Sequence, residues 1–133
     1  MANILCGQVL DASALTDATT DVSTTSGLTA ATNFTVNSFY GAKKGGVCTI
    51  HCYVQRTTST LSQTSGNITP DTLMCTVPSG YRPPVELNAS WGDGTSFGEA
   101  AVYPDGRVML RTAISDITSG RNIRFTCTFI GPL

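Results

Sequence analysis

From Asn33 onward the chain alternates apolar and polar residues with the two-residue period of β-strands. NFTVNSFY sets Phe34, Val36 and Ser38 on one face. GVCTIHCYVQR sets Cys48, Ile50, Cys52 and Val54 against Thr49, His51 and Tyr53. NITPDTLMCTV runs into the turn Pro78-Ser79-Gly80, and VELNASW puts Val85, Leu87, Ala89 and Trp91 on one side. FGEAAVY and RVMLRTAI flank Pro104-Asp105-Gly106, the strongest hairpin signal in the chain. Proline presets φ for the first corner of such a turn, and glycine can take a positive φ to start the return strand. NIRFTCTFI closes the series, with Ile123, Phe125, Cys127 and Phe129 on one face. About seven or eight short strands with Gly and Pro punctuation predict an all-β antiparallel sandwich or jelly roll.

Residues 11–32 break this pattern. The block is built from Ala, Ser, Thr and Asp with weak periodicity, and reads as a polar connecting segment in which a short helix over 11–18 is an alternative. The expected division is therefore a connector at 1–32 and a β domain at 33–133. The apolar start, MANILCGQVL, has no basic leading region and no cleavage site, which predicts no secretory signal. The sequons at Asn33, Asn67 and Asn88 then read as chance in a Ser/Thr-rich chain. No apolar run is long enough for a membrane-spanning helix, so no membrane insertion is expected.

Charge narrows the partners. Only 13% of the 133 residues are charged, and the net charge is −1. Neutralising phosphates needs a basic face, so nucleic acid is not an expected partner. Three aspartates and no Lys or Arg precede Lys43, so the acidic excess lies at the N-terminal end.

The cysteines number five, an odd count: Cys6, Cys48, Cys52, Cys75 and Cys127. On one strand Cys48 and Cys52 stand about 13 Å apart, against roughly 4.4–6.8 Å between the Cα atoms of a disulfide. His51 faces the other way, so the three cannot share one metal ion. Buried free thiols, formed in a reducing cytosol, are the expectation. No cofactor or metal is predicted.

Catalytic chemistry finds no footing. His51 is the sole histidine and lies on a polar strand face, and no G-x-S-x-G elbow is present. Glu86 and Glu99 are a carboxylate pair of unfixed separation. The chain is not expected to be an enzyme. A shallow sugar site asks less, needing an aromatic platform and a few polar groups. Trp91 beside Gly92-Asp93-Gly94 offers such a platform with Asp93 to accept hydroxyl hydrogen bonds; the alternative places Trp91 in the core. Tyr103, Arg111 and His51 complete the candidates, each with a surface or subunit-contact role as its alternative.

Four segments in order resemble the jelly-roll head domains of tailed-bacteriophage tail fibres and baseplate receptor-binding proteins. They are Lys44-Gly-Gly-Val-Cys-Thr-Ile-His-Cys-Tyr53, Cys75-Thr-Val-Pro-Ser-Gly-Tyr-Arg-Pro-Pro84, Val102-Tyr-Pro-Asp-Gly-Arg-Val108 and Ile123-Arg-Phe-Thr-Cys-Thr-Phe-Ile130. The resemblance covers about residues 33–133. It implies a homotrimer on the virion that binds a host cell-surface glycan, joined to another tail or baseplate protein through residues 1–32. It carries over no fixed set of sugar-binding residues. The alternatives are a virion structural protein, such as a decoration, head-fibre or trimerising cap, and an unrelated β-sandwich lectin.

Overall fold

The computed structural model describes residues 21–131, and among them every regular element is a β-strand. The strands are β1 (Val22–Thr24), β2 (Thr29–Ala30), β3 (Phe34–Lys44), β4 (Val47–Arg56), β5 (Asn67–Thr76), β6 (Leu87–Gly92), β7 (Phe97–Val102), β8 (Arg107–Thr112) and β9 (Asn122–Ile130). They form one antiparallel sheet in the order β1-β3-β4-β9-β6-β7-β8-β5-β2, curled into a half-barrel. The all-β antiparallel expectation is met, with nine strands among the described residues. The alternative of a short helix over 11–18, and Cys6, lie outside the described residues.

The concave face holds the core. Ile50, Cys52 and Val54 of β4 and Ile123, Phe125 and Cys127 of β9 join Met74, Cys75, Ala100, Val102, Val108 and Leu110 in one buried cluster. These residues come from both ends of the strand order, so curling lets one face cover itself. Backbone pairing between the two halves is slight. β6 meets β9 only at Trp91 with Phe125 and Gly92 with Arg124. Burial of apolar surface, worth about 25 cal/mol per Å², does most of the joining.

Two local findings differ from the alternation read in the sequence. The register between β3 and β4 shifts between Val36 and Ser38, so Asn37 is the extra residue of a bulge. Beyond it the inward residue is Phe39, at 4% exposure, and Ser38 faces out. Val85 precedes β6 and is exposed, while Leu87, Ala89 and Trp91 keep the inward face. The sheet also starts before Asn33: β1 pairs with Gly41–Lys43, and β2 with Cys75 and Thr76. Leu28, Ala30 and Ala31 pack against the core.

The loops are fixed by their own chemistry. Tyr103 and Arg107 close the β7–β8 hairpin, with the Gly106 N–H donating to the Tyr103 carbonyl at 2.9 Å and Gly106 at φ 93°. That turn follows the sequence expectation. Within Pro78–Pro84, the Arg82 Nε donates to the Val77 carbonyl at 2.8 Å, and Val77 N–H donates to the Gly106 carbonyl at 2.8 Å. Tyr81 lies against Gly41 of β3, carrying the Lys43 ammonium 5.5 Å from its ring centre.

Candidate functional site

The β6–β7 loop is built on Asp93. Its Oδ1 accepts from the backbone N–H of Thr95 at 2.8 Å and of Ser96 at 2.5 Å. Its Oδ2 pairs with the Arg121 guanidinium at 2.6 Å, and its side chain is only 6% exposed. Burial pushes this carboxyl up, but the two amides, Arg121 and the Thr95 hydroxyl outweigh it and hold it below the usual carboxylate range. Both of its oxygens are engaged, Oδ1 by the loop and Oδ2 by Arg121. Asp93 therefore ties the β6–β7 turn to the β8–β9 connection, and in this arrangement it does not reach out to a sugar.

Trp91 is a core residue, correcting the expectation of an exposed platform. It is 2% exposed and its indole N–H donates to the Thr112 carbonyl at 3.1 Å. With both faces covered it has no surface on which a ring could stack. Gly98 makes this packing possible. A Cβ there would run into the Thr112 carbonyl and the Trp91 indole nitrogen.

Above that floor lies an open groove of about 440 Å³, between the 64–67 turn and the adjoining ends of β7 and β8. Phe97 and Ile114 form its apolar walls, 61% and 54% exposed, joined by the Ile114 N–H to the Phe97 carbonyl at 3.1 Å. The opposite wall is the tight turn Thr64–Asn67, whose Gly66 carbonyl accepts from Ala113 N–H at 3.1 Å. Glu99 supplies a carboxylate to the lining, and Asn67 an amide.

Glu99 belongs to a charged row across the outer face. Arg111 of β8 reaches the Asp71 carboxylate at 3.4 Å on one side and that of Glu99 at 3.5 Å on the other. All three side chains are roughly two-fifths exposed, so water screens the row and its value lies in orientation more than energy. The groove thus presents a flat apolar ring beside a held carboxylate. Such a pair can stack on the C–H face of a sugar and accept its hydroxyl protons.

The five sequence candidates do not converge. Arg111 borders the groove through Glu99, Trp91 lies beneath it, and Asp93 braces the neighbouring loop. Tyr103 sits past the other end of β7, under the Arg107 guanidinium at 4.8 Å. His51 is on the outer face of β4, its Nδ1 3.1 Å from the Thr126 hydroxyl. Glu86 lies just before β6, outside the groove lining that holds Glu99. Sequence reasoning missed Phe97, Ile114 and Asn67. One signal was available for Phe97: it alternates in step with Glu99, which places a large aromatic on a polar face.

Cys48, Cys52, Cys75 and Cys127 are free and buried, as expected. Burial and a hydrogen bond with the Cys75 thiol push the Cys52 thiol far above its ordinary range, the hydrogen bond contributing most. Among the described residues no three His, Cys, Asp or Glu side chains group as a metal site, and no helix is long and apolar enough to cross a membrane.

No protein-family model matches the chain, and no curated protein matches its sequence.

Proposed function

We propose that this chain is a non-catalytic receptor-binding head of a tailed-bacteriophage tail fibre or baseplate. In this reading it binds a host-surface saccharide in the groove walled by Phe97 and Ile114. The observation that carries the saccharide part is the exposed Phe97 ring beside the Glu99 carboxylate that Arg111 holds. A large exposed aromatic offers surface to a partner, and the adjacent carboxylate gives that partner a hydroxylated character.

The phage part rests on the four-segment resemblance. Two of those segments support one another physically, because the Val77 N–H of one donates to the Gly106 carbonyl in the turn of the other, and Arg82 packs against that Gly106. Jelly-roll packing, three-fold assembly, attachment to another virion protein through residues 1–32 and location on the virion belong to the same proposal. Three joined weak sites would act together and raise avidity without tight single-site binding.

The test is solution mass by light scattering, followed by a screen against bacterial surface polysaccharides. The reading expects three times 13.9 kDa and a saccharide ligand. A monomer that binds no saccharide would overturn it.

A further inference from the structure

The other half of the sheet has a different outer face. β3, β4 and β9 contain no Asp or Glu, yet they carry Lys43, Lys44, Arg56 and Arg124, half of the chain's eight basic residues, and His51. Arg56 is buried against Phe34 and bonded to Ser59, and Lys43 lies over Tyr81. Lys44 shares its charge with Asp21 at 3.7 Å. Arg124 is different. It is exposed, and among the described residues no carboxylate lies within ion-pair distance of it.

What holds Arg124 is an aromatic ring. Its guanidinium lies 4.2 Å from the centre of the Tyr53 ring, its register partner on β4. In the next outward row His51 pairs with Tyr40 of β3, 47% exposed, and with Thr126 of β9. The row beyond joins Thr49 to Thr128 through their hydroxyls at 2.8 Å. Among the described residues the outward face of these strands is therefore a strip of tyrosines, hydroxyls and one oriented, unneutralised cation. A guanidinium fixed on a ring still presents its N–H fork to a carboxylate or phosphate, and bidentate pairs of that kind are strong and directional.

We infer that this face binds an anionic saccharide chain, with the acid group on Arg124, which Tyr53 holds, and a sugar ring over the exposed Tyr40. The inference rests on the saccharide-binding reading above and adds a second, charge-selective surface to it. Its sparse cation fits a polymer with an occasional negative charge. Double-stranded nucleic acid carries one charge per roughly 1.7 Å and would meet too few cations here.

The test uses the whole chain and calorimetric titration with an oligouronate, a polyol-phosphate oligomer, a neutral glucan and a single-stranded oligonucleotide. One or both acidic saccharides bind, Arg124→Gln weakens that binding about tenfold, and Phe97→Ala leaves it unchanged. The uronate and phosphate arms tell which acid group is taken. Arg124 and Tyr53 face outward, so thermal melting should match the parent; if Tyr53→Ala melts early, Arg124→Gln alone decides. Equal binding by Arg124→Gln, tighter binding of the oligonucleotide, or a lower solution mass in Arg124→Gln overturns the inference. Neutral glucan binding that Phe97→Ala abolishes, with no acidic ligand bound, overturns this surface and leaves the proposed function standing. No saccharide bound at either place overturns both.

Discussion

Arg82 lies directly over Gly106. Its Nε donates to the Val77 carbonyl, and a Cβ built on Gly106 would meet both that nitrogen and that carbonyl oxygen. Two segments that look independent in the sequence are thus one packed unit, the turn of one filled by the arginine of the other. Gly106 is needed twice, for its φ of 93° and for the missing side chain.

Gly106→Ala should therefore cost about 1–3 kcal/mol from the positive φ and more from the collision. Gly45→Ala is the control. Gly45 also has a positive φ, but nothing lies within 4 Å of the place its methyl would take, so only the conformational cost applies. Urea unfolding of the two variants should rank Gly106→Ala as clearly the worse; equal midpoints would remove Arg82 from the explanation.

Trp91→Ala should destabilise by about 3–5 kcal/mol, as large-to-small core changes do. Trp91→Phe should fall between, since it keeps a ring but leaves the Thr112 carbonyl without its donor, at about 1–3 kcal/mol. Denaturant midpoints check both. A fully stable Trp91→Ala would contradict the buried placement.

Asp93 predicts an acid-sensitive loop. Its folded carboxyl titrates below the unfolded value of about 3.9, so its contribution is present above that value and is lost as pH falls through the folded pKa. Asp93→Asn should be less stable than the parent at pH 7 by about 1–3 kcal/mol, and the gap should close in acid. Midpoints measured from pH 7 down to pH 2 give the answer; a gap that widens in acid would show that Asp93 is not held ionised.

Phe97→Ala separates binding from folding. The ring is 61% exposed, so the melting temperature should barely move. Saccharide affinity at the groove should drop about tenfold, equivalent to about 1.4 kcal/mol. Titration of a ligand found by screening, beside a thermal melt, reads both quantities.

The four buried thiols should resist alkylation in the folded chain. A thiolate is the reactive form, and burial opposes it at Cys48 and Cys127, as the Cys75 thiol and burial do at Cys52. Peptide-level mass spectrometry after brief iodoacetamide treatment should find Cys48, Cys52, Cys75 and Cys127 unmodified until urea is added. Rapid native labelling at Cys52 would mean that the core opens readily.

The long strands are legible in the sequence because one face of each is buried and the period survives along its length. β4 and β9 show this at every position, from Cys48 to Val54 and from Ile123 to Phe129. β1 and β2 are not, since two or three residues at a sheet edge are held by backbone bonds and need no alternation. The bulge at Asn37 is hidden for a related reason, because an extra residue resets the period without leaving a compositional mark. The site is less legible than the fold. Trp91 and Phe97 are both aromatic residues at strand ends; alternation sets Trp91 with Leu87 and Ala89 and Phe97 with Glu99, but β7 is otherwise small and apolar, and its pairing with β6 fixes which side faces inward. Asp93 stands out in the sequence as a charged residue in a turn, but its partner Arg121 is distant along the chain and cannot be assigned to it from there.

The slender β6–β9 seam has a mechanical consequence. With two register pairs across it, the halves are stitched by oily contact more than by a backbone zipper. Load drawn across that seam would strip few amide bonds before reaching the greasy interior, while the long β3–β4 and β4–β9 ladders would bear shear along many bonds at once. The protein should give way by parting like a hinged shell, with each valve keeping its own weave.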